Sequence, residues 1–316
     1  MGKYAVLSTE LKRLMPLIRQ GVGSTVLWLR CGRSTPDSSA LEYAVRRIIR
    51  GLREGKAEAY CRIEGDSISG LIIWEVLDWD TRILGIGCGR IHLVWGGGLD
   101  ELLFSWKDRI DQAGIEYVTC RVASPSRVLE NAGFAGLEEM VYLTGPSSVE
   151  FPSPDNIREA GEADLERIRY IAGRAYFHDR FHSDPLFSDD DAGRVHSEWA
   201  ESSLLGRADC VLAADPGGTV EGFCACILPE EGSGNPGWID MLAVSTGSRR
   251  RGIGEQLVLA ARNYFAIKGI SSVALCTQRD NLPAVNLYHK NGFRIFHAAV
   301  TYRIHTEVRA NNRYRR

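Results

Sequence analysis

The sequence predicts an α/β (α+β) fold that occurs twice in tandem. The length of 316 residues suits two domains of about 150 residues each, and the chain contains an internal repeat. Residues 115–143 and residues 270–304 each read as a β-branched strand, a loop, a short helix and a second strand. In both copies the short helix ends at a Gly-Phe pair, Gly133-Phe134 in the first and Gly292-Phe293 in the second.

The repeat extends upstream into a pair of predicted β-hairpins. Residues 59–74 contain two β-rich stretches separated by a turn, and residues 210–228 repeat this pattern around the turn Asp215-Pro216-Gly217-Gly218. Each copy therefore begins its sheet with antiparallel strands and continues into the strand–helix–strand segment.

A linker is predicted between the copies. Residues 144–156 hold three prolines and three serines, a composition typical of connecting segments. We therefore predict two domains of one fold, residues 1–148 and residues 149–316.

The composition is that of an ordinary water-soluble protein. The formal net charge is −2, and no apolar run approaches the roughly 18 residues that a membrane-spanning helix needs. The eight cysteines include no Cys-x-x-Cys pair, so neither a zinc site nor a redox motif is predicted. We expect a cytoplasmic protein without nucleic-acid or membrane partners, either a monomer or a homodimer.

The second copy contains a candidate phosphate-binding loop. The buried strand of residues 238–244 leads into the glycine- and arginine-rich turn of residues 245–254, and an apolar-periodic helix of residues 255–268 follows. Glycines let the main chain approach a pyrophosphate, and the unpaired N–H groups at a helix start point at it. The segment lacks the Gly-Lys-Ser/Thr of a Walker loop and the third glycine of a dinucleotide fingerprint. The alternative is a solvated basic turn before an ordinary helix.

The first copy lacks this loop. Twenty-one residues separate Val94 from Ile115, against twenty-six between Val244 and Ile270, and Gly96-Gly97-Gly98 stands there without an arginine. The first copy is therefore predicted to be a degenerate scaffold that does not bind the cofactor.

The second copy resembles the GCN5-related N-acetyltransferase (GNAT) family. The resemblance is carried by Leu242-Ala243-Val244, Arg249-x-x-Gly252-x-Gly254, Leu275-Cys276-Thr277, Asn281, Asn286-Leu287-Tyr288 and Gly292-Phe293. It implies two GNAT folds, each a mixed, mostly antiparallel twisted sheet flanked by helices, and acetyl-CoA as co-substrate without a metal. The cofactor-binding residues that it implies are Leu242, Ala243, Val244, Arg249, Arg250, Arg251, Gly252, Ile253, Gly254, Asn281 and Asn286.

Three residues are candidates for the chemistry of acetyl transfer from a thioester to an amine. The resemblance makes Tyr288 the proton donor to the leaving thiolate, and the alternative is an aromatic side chain that only packs. A free N–H at Leu242 is expected to polarise the thioester carbonyl. Asp240 is the candidate general base, because alternation along the strand would place it on the same face as Leu242. It could instead hydrogen-bond a turn.

Two further segments resemble the TDP-fucosamine acetyltransferase family, whose members acetylate a nucleotide-linked amino sugar. They are residues 77–85, in which one tryptophan lies between two aspartates, and residues 179–201, with Arg-Phe, Gly-Arg and Trp-x-Glu in order. The candidate substrate-binding residues are Arg180, His182, Asp184 and Arg194. Alternatively Arg180 and Asp184 pair with each other. His178 and His182 have a metal-ligand spacing, but no third ligand is evident, so no metal is predicted.

The sequence leaves other functions open. Another small-molecule amine or a protein amine could accept the acetyl group, and a non-catalytic acetyl-CoA sensor is a third possibility. A tyrosine at 288 together with a complete loop favours an enzyme.

Overall fold

The structure is a computed structural model that describes residues 3–25, 27, 30, 32, 37–149, 154–230 and 234–306. The chain divides into two compact units. Unit 1 contains residues 1–29, 35–138 and 299–316, and unit 2 contains residues 30–34 and 139–298.

Unit 1 is built on an antiparallel sheet that ends in a parallel pair. Its elements are β1 (Lys3–Val6), α1 (Leu11–Gly21), α2 (Ser38–Arg53), β2 (Ala57–Glu64), β3 (Ser67–Val76), α3 (Asp78–Leu84), β4 (Cys88–Gly96), α4 (Leu99–Gln112), β5 (Tyr117–Val122) and α5 (Arg127–Asn131), followed by β6 (Ala135–Pro146). The strands β1 to β4 pair antiparallel in chain order, and β4 pairs parallel with β5.

The core of unit 1 lies between this sheet and α4. Trp106 on α4 is fully buried and meets Trp74 of β3 edge to face, with ring centroids 5.8 Å apart. Phe134, the aromatic residue of the first Gly-Phe pair, stacks on the other side of Trp106. The apolar stripe of α4 therefore fixes the helix on the sheet by burying large aromatic surfaces.

Unit 2 repeats this plan. Its elements are β7 (Ile157–Glu159), α6 (Leu165–Ala175), α7 (Asp189–Ser202), β8 (Cys210–Ala214), β9 (Gly222–Ile227), β10 (Gly237–Val244), α8 (Ile253–Ile267), β11 (Ser272–Gln278), α9 (Leu282–Lys290) and β12 (Arg294–His305). The strands β7 to β10 pair antiparallel in chain order, and β10 pairs parallel with β11.

Both faces of the unit 2 sheet are covered. On one face α8 packs through Leu257, Ala261 and Phe265, and on the other α6 packs through Ile168 and Ile171. Strands buried on both faces have a nearly continuous apolar sequence, as β8 and β9 do.

Each unit is completed by a strand segment from the other half of the chain. Residues 140–146 of β6 pair with β11 in unit 2, and residues 300–305 of β12 pair with β5 in unit 1. The tandem α/β fold predicted from the sequence is confirmed. The boundary at residues 148 and 149 stays a prediction about the repeat, since the compact units are not contiguous in sequence.

None of the described helices is long and apolar enough to cross a membrane. A cytoplasmic location stays a prediction.

Candidate active site

The site is built where β10 leaves its parallel neighbour. The two strands pair at only two positions, Gly237 with Val273 and Trp238 with Ala274. A β-bulge follows, because Ile239 and Met241 lie opposite consecutive residues of β9 and Asp240 is the extra residue. Past the bulge, the edge of β10 toward β11 has no ladder partner, so main-chain groups there are available to a ligand.

The bulge reverses which side chains share a face. Leu242 packs against the cluster that holds Ile239 and α8, whereas Met241 packs against the cluster on α6 and α7. Asp240 reaches Arg207 in the turn after α7, on the side of Met241. The expectation that Asp240 and Leu242 point to one face was wrong, because strict alternation holds only for a strand without an inserted residue.

Asp240 is held by two arginines. Its Oδ2 accepts a 2.7 Å hydrogen bond from Arg207 Nη1, its Oδ1 lies 3.8 Å from Arg30 Nη2, and its side chain is 7% exposed. Arg30 also lies over the Trp238 ring at 4.7 Å. Both carboxylate oxygens are therefore engaged by guanidinium groups and are less accessible to a substrate amine. The general-base role of Asp240 stays a prediction, and this pairing argues against it.

The loop after β10 presents a bare main chain. Gly252 has a φ of 81° and stands immediately before the first residue of α8, and a Cβ added there would meet nothing within 4 Å. The preceding Arg250 has a φ of 61°, which is rare for a residue with a side chain. Gly254 faces Leu287 of α9, where an added Cβ would lie 3.3 Å from the leucine Cδ2. The start of α8 is therefore open to an anion over Gly252 and closely packed at Gly254.

The three arginines of the loop have different environments. Arg249 Nη2 donates a 2.7 Å hydrogen bond to the carbonyl oxygen of Ala175, at the end of α6. Arg250 and Arg251 are exposed, and neither makes a hydrogen bond or ion pair within the described part of the chain. Arg249 thus positions the loop, and the other two are the better candidates for phosphate contacts.

A buried turn anchors the loop from below. Ser248 donates a 3.1 Å hydrogen bond to Glu221, and Arg167 of α6 donates to the same carboxylate at 2.9 Å. These contacts hold the backbone of residues 246–248, so the loop conformation does not depend on a ligand.

The predicted pantetheine residues lie at the start of α9 and on its surface. Asn281 caps the helix, since its Oδ1 accepts from the N–H of Ala284 and its Nδ2 donates to Thr277. Asn286 is exposed. Their contacts with a cofactor stay predictions.

Tyr288 is buried in the core cluster beneath the loop. Its side chain is 6% exposed, and its ring meets Phe293 edge to face at 5.9 Å. Burial raises the pKa of Tyr288, and the thiols of Cys224 and Cys276 raise it further. The role of Tyr288 as proton donor to the leaving thiolate stays a prediction.

The segment between α6 and α7 contains a buried carboxylate between two imidazoles. Asp179 Oδ1 accepts the N–H groups of Phe181 and His182, and its Oδ2 is hydrogen-bonded to His182 Nδ1. His196 Nε2 lies 3.7 Å from the same Oδ2. This arrangement fixes the turn after α6 to α7.

Three pKa shifts follow from this cluster. Burial would raise the pKa of Asp179, but the hydrogen bond from His182 and the two imidazoles outweigh it and lower the value. The same hydrogen bond raises the pKa of His182, and burial lowers that of His196. These shifts favour the ionised forms of Asp179 and His182 and the neutral form of His196.

The ligand atoms of these three residues lie within 4.8 Å of one another, as a metal site would require. The carboxylate and His182 already satisfy each other, and His196 Nδ1 is bonded to the Ala192 carbonyl oxygen at 2.8 Å. The contacts are explained without an ion. That acetyl transfer here needs no metal stays a prediction.

The other predicted substrate residues differ in exposure. Asp184 is 1% exposed and its Oδ1 accepts the N–H of Leu186, so its carboxylate holds the turn. Arg194 is paired with Asp191 one turn earlier on α7. Arg180 lies over the ring of Phe181, with its Cζ 4.5 Å from the centroid. Of these three, Arg180 retains the strongest case for a substrate contact.

The sequence did not identify Tyr176, His196, Arg207 or Arg30 as site residues. Nothing in the local pattern marks them, since each comes from a different segment and the fold brings them to β10 or to the turn after α6. Of the cluster formed by Asp179, His182 and His196, only His182 was marked by the sequence, through the Arg-Phe-His motif of residues 180–182.

Residues 166–293 match the family model described as Acetyltransferase (GNAT) family. The match covers most of unit 2, so this part of the chain is similar to the GNAT acetyltransferases.

Among curated relatives, the chain is 30% identical over 179 residues to the mycothiol acetyltransferase of Arthrobacter sp. (strain FB24), and the match covers 54% of each chain. It is 27% identical over 229 residues to the dTDP-fucosamine acetyltransferase of Escherichia coli O6:H1, covering 70% of this chain and 93% of that protein. The chain thus matches about half the length of the first relative and most of the second.

The fold has solved counterparts. A tandem GNAT protein from the clavulanic acid biosynthesis pathway superposes with a TM-score of 0.57 at 11% identity, covering 96% of this chain and 98% of that chain. At this identity the likeness shows the fold, and it agrees with two GNAT units in one chain.

Proposed function

We propose that the protein transfers the acetyl group of acetyl-CoA to the amine of a nucleotide-linked amino sugar, by direct attack in a ternary complex. The observation that carries the acetyl-CoA half is the open helix start at Gly252 beside the unpaired edge of β10. The acceptor half is supported by the similarity to dTDP-fucosamine acetyltransferase over 93% of its length.

The cofactor is proposed to bind mainly through contacts with the main chain of the protein. The N–H groups at the start of α8 and the exposed Arg250 and Arg251 suit the pyrophosphate. The main chain of residues 242–244 suits the pantetheine arm and the thioester, because this edge of β10 has lost its ladder partner. Tyr288 would protonate the leaving thiolate from the core below.

The acceptor is proposed to be anionic, with Arg180 as the cation that meets a diphosphate. Direct attack requires the amine within about 3–3.5 Å of the thioester carbon. The turn of residues 176–188 is held to α7 by Asp179 and His196, and its Phe177 ring lies 5.6 Å from Cζ of Arg249 in the cofactor loop. It supplies Arg180 and the half-buried His182 to the approach.

A strong general base is not required by this proposal. Nearby oxygens withdraw electrons from a sugar amine, which is therefore less basic than a lysine amine and is more often neutral at pH 7. This agrees with the commitment of Asp240 to Arg207 and Arg30.

A different acceptor is the second candidate. The chain is 30% identical to a mycothiol acetyltransferase over about half of its length. This match gives no support for a nucleotide-linked acceptor. A non-catalytic acetyl-CoA sensor is a weaker candidate, since Tyr288 stands in the buried position that a proton donor needs.

The experiment measures CoA thiol release with TDP- and UDP-linked 4-amino-6-deoxyhexoses, and the binding of TDP and UDP alone by calorimetry. We expect turnover with one of the nucleotide sugars and competition by its free nucleotide. If neither nucleotide binds and the amino sugars are not acetylated, the acceptor assignment fails. Release of thiol with other amines would then retain acetyl transfer, and no release with any amine would favour the sensor.

A matched pair of variants tests the arginine. Arg180→Ala removes a cation stacked on Phe181, and Arg174→Ala removes one stacked on Tyr170 at 4.2 Å on the surface of α6. Loss of one charged hydrogen bond costs about 1.5–3 kcal/mol, so the KM for the nucleotide sugar should rise about tenfold or more in the first variant alone. An equal change in the KM for the nucleotide sugar in the two variants would contradict the role of Arg180.

A further inference from the structure

One hydroxyl in unit 2 is buried and has no partner. Tyr176 follows the last residue of α6, and its hydroxyl oxygen makes no hydrogen bond with any of the described residues. Leaving a buried polar atom unpaired is costly, so such atoms in folded proteins call for an explanation, often a ligand.

This hydroxyl lies beside the strand where the thioester is proposed to bind. The Tyr176 ring packs against the cluster that contains Met241 and Ala243, the two neighbours of Leu242 on β10. Burial raises the pKa of Tyr176 well above its ordinary value, Tyr288 and Asp240 raise it further, and the nearby N–H of Leu242 acts in the opposite direction. The hydroxyl oxygen and this N–H are close to each other but outside hydrogen-bond geometry, so two donors lie together at Leu242.

The ring of Tyr176 is held on both sides. It stacks on the imidazole of His196, with centroids 4.5 Å apart and planes at 16°. His196 is fixed in turn by the Ala192 carbonyl oxygen and lies against Asp179. On the chain side, Arg249 binds the carbonyl oxygen of Ala175, the preceding residue. The orientation of the hydroxyl is therefore set by the protein before any ligand binds, as an electrostatic site requires.

We propose that Tyr176 is a catalytic residue whose hydroxyl, together with the Leu242 N–H, donates a hydrogen bond to the carbonyl oxygen of the acetyl thioester. As the amine nitrogen bonds to the carbonyl carbon, the π electrons move to this oxygen, and both donors stabilise its negative charge. When the carbonyl re-forms, the C–S bond breaks, the sulfur takes a proton from Tyr288, and the attacking nitrogen releases its extra proton to solvent, which reprotonates Tyr288. Tyr176 stays protonated throughout, so it acts as a donor and not as a base.

This inference rests on the acetyl-CoA half of the proposed function and is independent of the acceptor. It also explains why the hydroxyl is unpaired: its partner arrives with the cofactor. His196 on α7 and Asp179 in the turn proposed to border the acceptor position the Tyr176 ring. The same residues therefore support both the carbonyl-binding group and the proposed acceptor side.

The test is difference infrared spectroscopy of bound acetyl-CoA labelled with ¹³C at the carbonyl, without any acceptor. We expect a shift of the carbonyl stretch to lower frequency in the wild type, a smaller shift in Tyr176→Phe, and the wild-type shift in the control Tyr170→Phe, whose ring is 49% exposed on α6. An equal shift in wild type and Tyr176→Phe, or no shift in the wild type, would overturn the proposal.

Two further readouts separate catalysis from packing. The kcat of Tyr176→Phe should fall about 10²–10³-fold, the usual loss for one oxyanion donor, with little change in the KM for acetyl-CoA. The Tm without ligand should be unchanged or higher, because the variant removes an unsatisfied buried hydroxyl. A lower Tm with unchanged kcat would show a structural role and refute the assignment. Failure of the nucleotide-sugar assay leaves the infrared result unaffected, so the two proposals fail separately.

Discussion

The strand β4 of unit 1 and the strand β10 of unit 2 have the same local plan but lead to different loops. Both strands carry a β-bulge, at His92 and at Asp240, and both lead to a helix preceded by a left-handed glycine, Gly98 and Gly252. The scaffold of the two units is therefore the same at the place where the cofactor is expected.

The space over the two helix starts is different. Gly98 follows His92 by six positions, whereas Gly252 follows Asp240 by twelve positions. A Cβ placed at Gly98 would lie 2.8 Å from Cζ of Arg62, while one at Gly252 would meet nothing within 4 Å. In unit 1 a guanidinium of the protein thus fills the region that unit 2 leaves to a ligand.

Two more differences accompany the shorter loop. The parallel pairing of β4 with β5 extends over four positions, against two between β10 and β11, so the strands of unit 1 separate less. Five residues before the phenylalanine of the Gly-Phe pair, unit 1 has the buried Leu129 and unit 2 has Tyr288. A few local changes are enough to remove the site, because the packing that holds the sheet is not involved.

The largest effect should come from Gly252→Val. A side chain over the helix start blocks the pyrophosphate and removes contacts to charged oxygens worth about 1.5–3 kcal/mol each, so the Kd for acetyl-CoA should rise at least about 100-fold by calorimetry. The matched control is Gly218→Val, since Gly218 has the same φ of 81° and the same empty surroundings in a hairpin turn. Wild-type affinity in Gly252→Val would contradict the cofactor site, and so would an equal loss in the control.

The second comparison concerns the hydroxyl of Tyr288, since unit 1 has Leu129 at the corresponding position. Tyr288→Phe keeps the packing, so the KM for acetyl-CoA should change little, while the kcat falls about 10²–10⁴-fold as a general acid is lost. The control, Tyr302→Phe in unit 1, removes a hydroxyl bonded to Glu130 at 2.8 Å. It should lower the free energy of unfolding by about 1 kcal/mol and leave the kcat unchanged. An unaltered kcat in Tyr288→Phe would assign the proton donor elsewhere.

The third comparison is between two His–carboxylate pairs, Asp179–His182 in unit 2 and Glu75–His92 in unit 1. Because the folded pKa of His182 is raised, its contribution to stability is complete below the ordinary value of 6.5 and disappears as the pH rises through the folded pKa. His182→Asn should therefore cost most at pH 5.5–6.5, about 1.5 kcal/mol, and progressively less above. Thermal melts of the wild type and His182→Asn across pH measure this loss. A difference in Tm that widens with rising pH would contradict the ion pair.

His92→Gln should cost less than His182→Asn at pH 6. Both members of the Glu75–His92 pair are more exposed, 17% and 22% against 11% for each side chain of the Asp179–His182 pair. Solvent screens exposed pairs more strongly. A larger loss of stability in His92→Gln than in His182→Asn would show that the turn after α6 is not held by the Asp179–His182 ion pair.

The smallest effect on cofactor binding is expected from Arg62→Ala. This variant empties the space over Gly98, but the loop there stays six residues shorter and the strands stay paired. Tested in a Gly252→Val background, it should restore no acetyl-CoA binding. Measurable binding would mean that a single side chain, and not the loop, separates the two units.

Much of this architecture could be predicted from local sequence. The hairpins, the Gly-Phe pairs and the loop of residues 245–254 depend on neighbouring residues, since turns need glycine and strands need β-branched or aromatic residues. The role expected for Gly252 agrees with its left-handed φ for the same reason.

The orientation of Asp240 could not be predicted, because a bulge changes every face assignment after it and depends on the pairing with β9.

The sequence by itself determined that the chain carries two copies of one α/β fold and that only the second has the long glycine- and arginine-rich loop. Both properties follow from the spacing of a few residues. Only the tertiary structure decided which strand segments complete each unit, that Arg207 and Arg30 hold Asp240, and that Tyr176 packs beside β10. These contacts join residues far apart in the chain, and they form because burial of the two apolar faces of the sheet brings separate segments to the same strand.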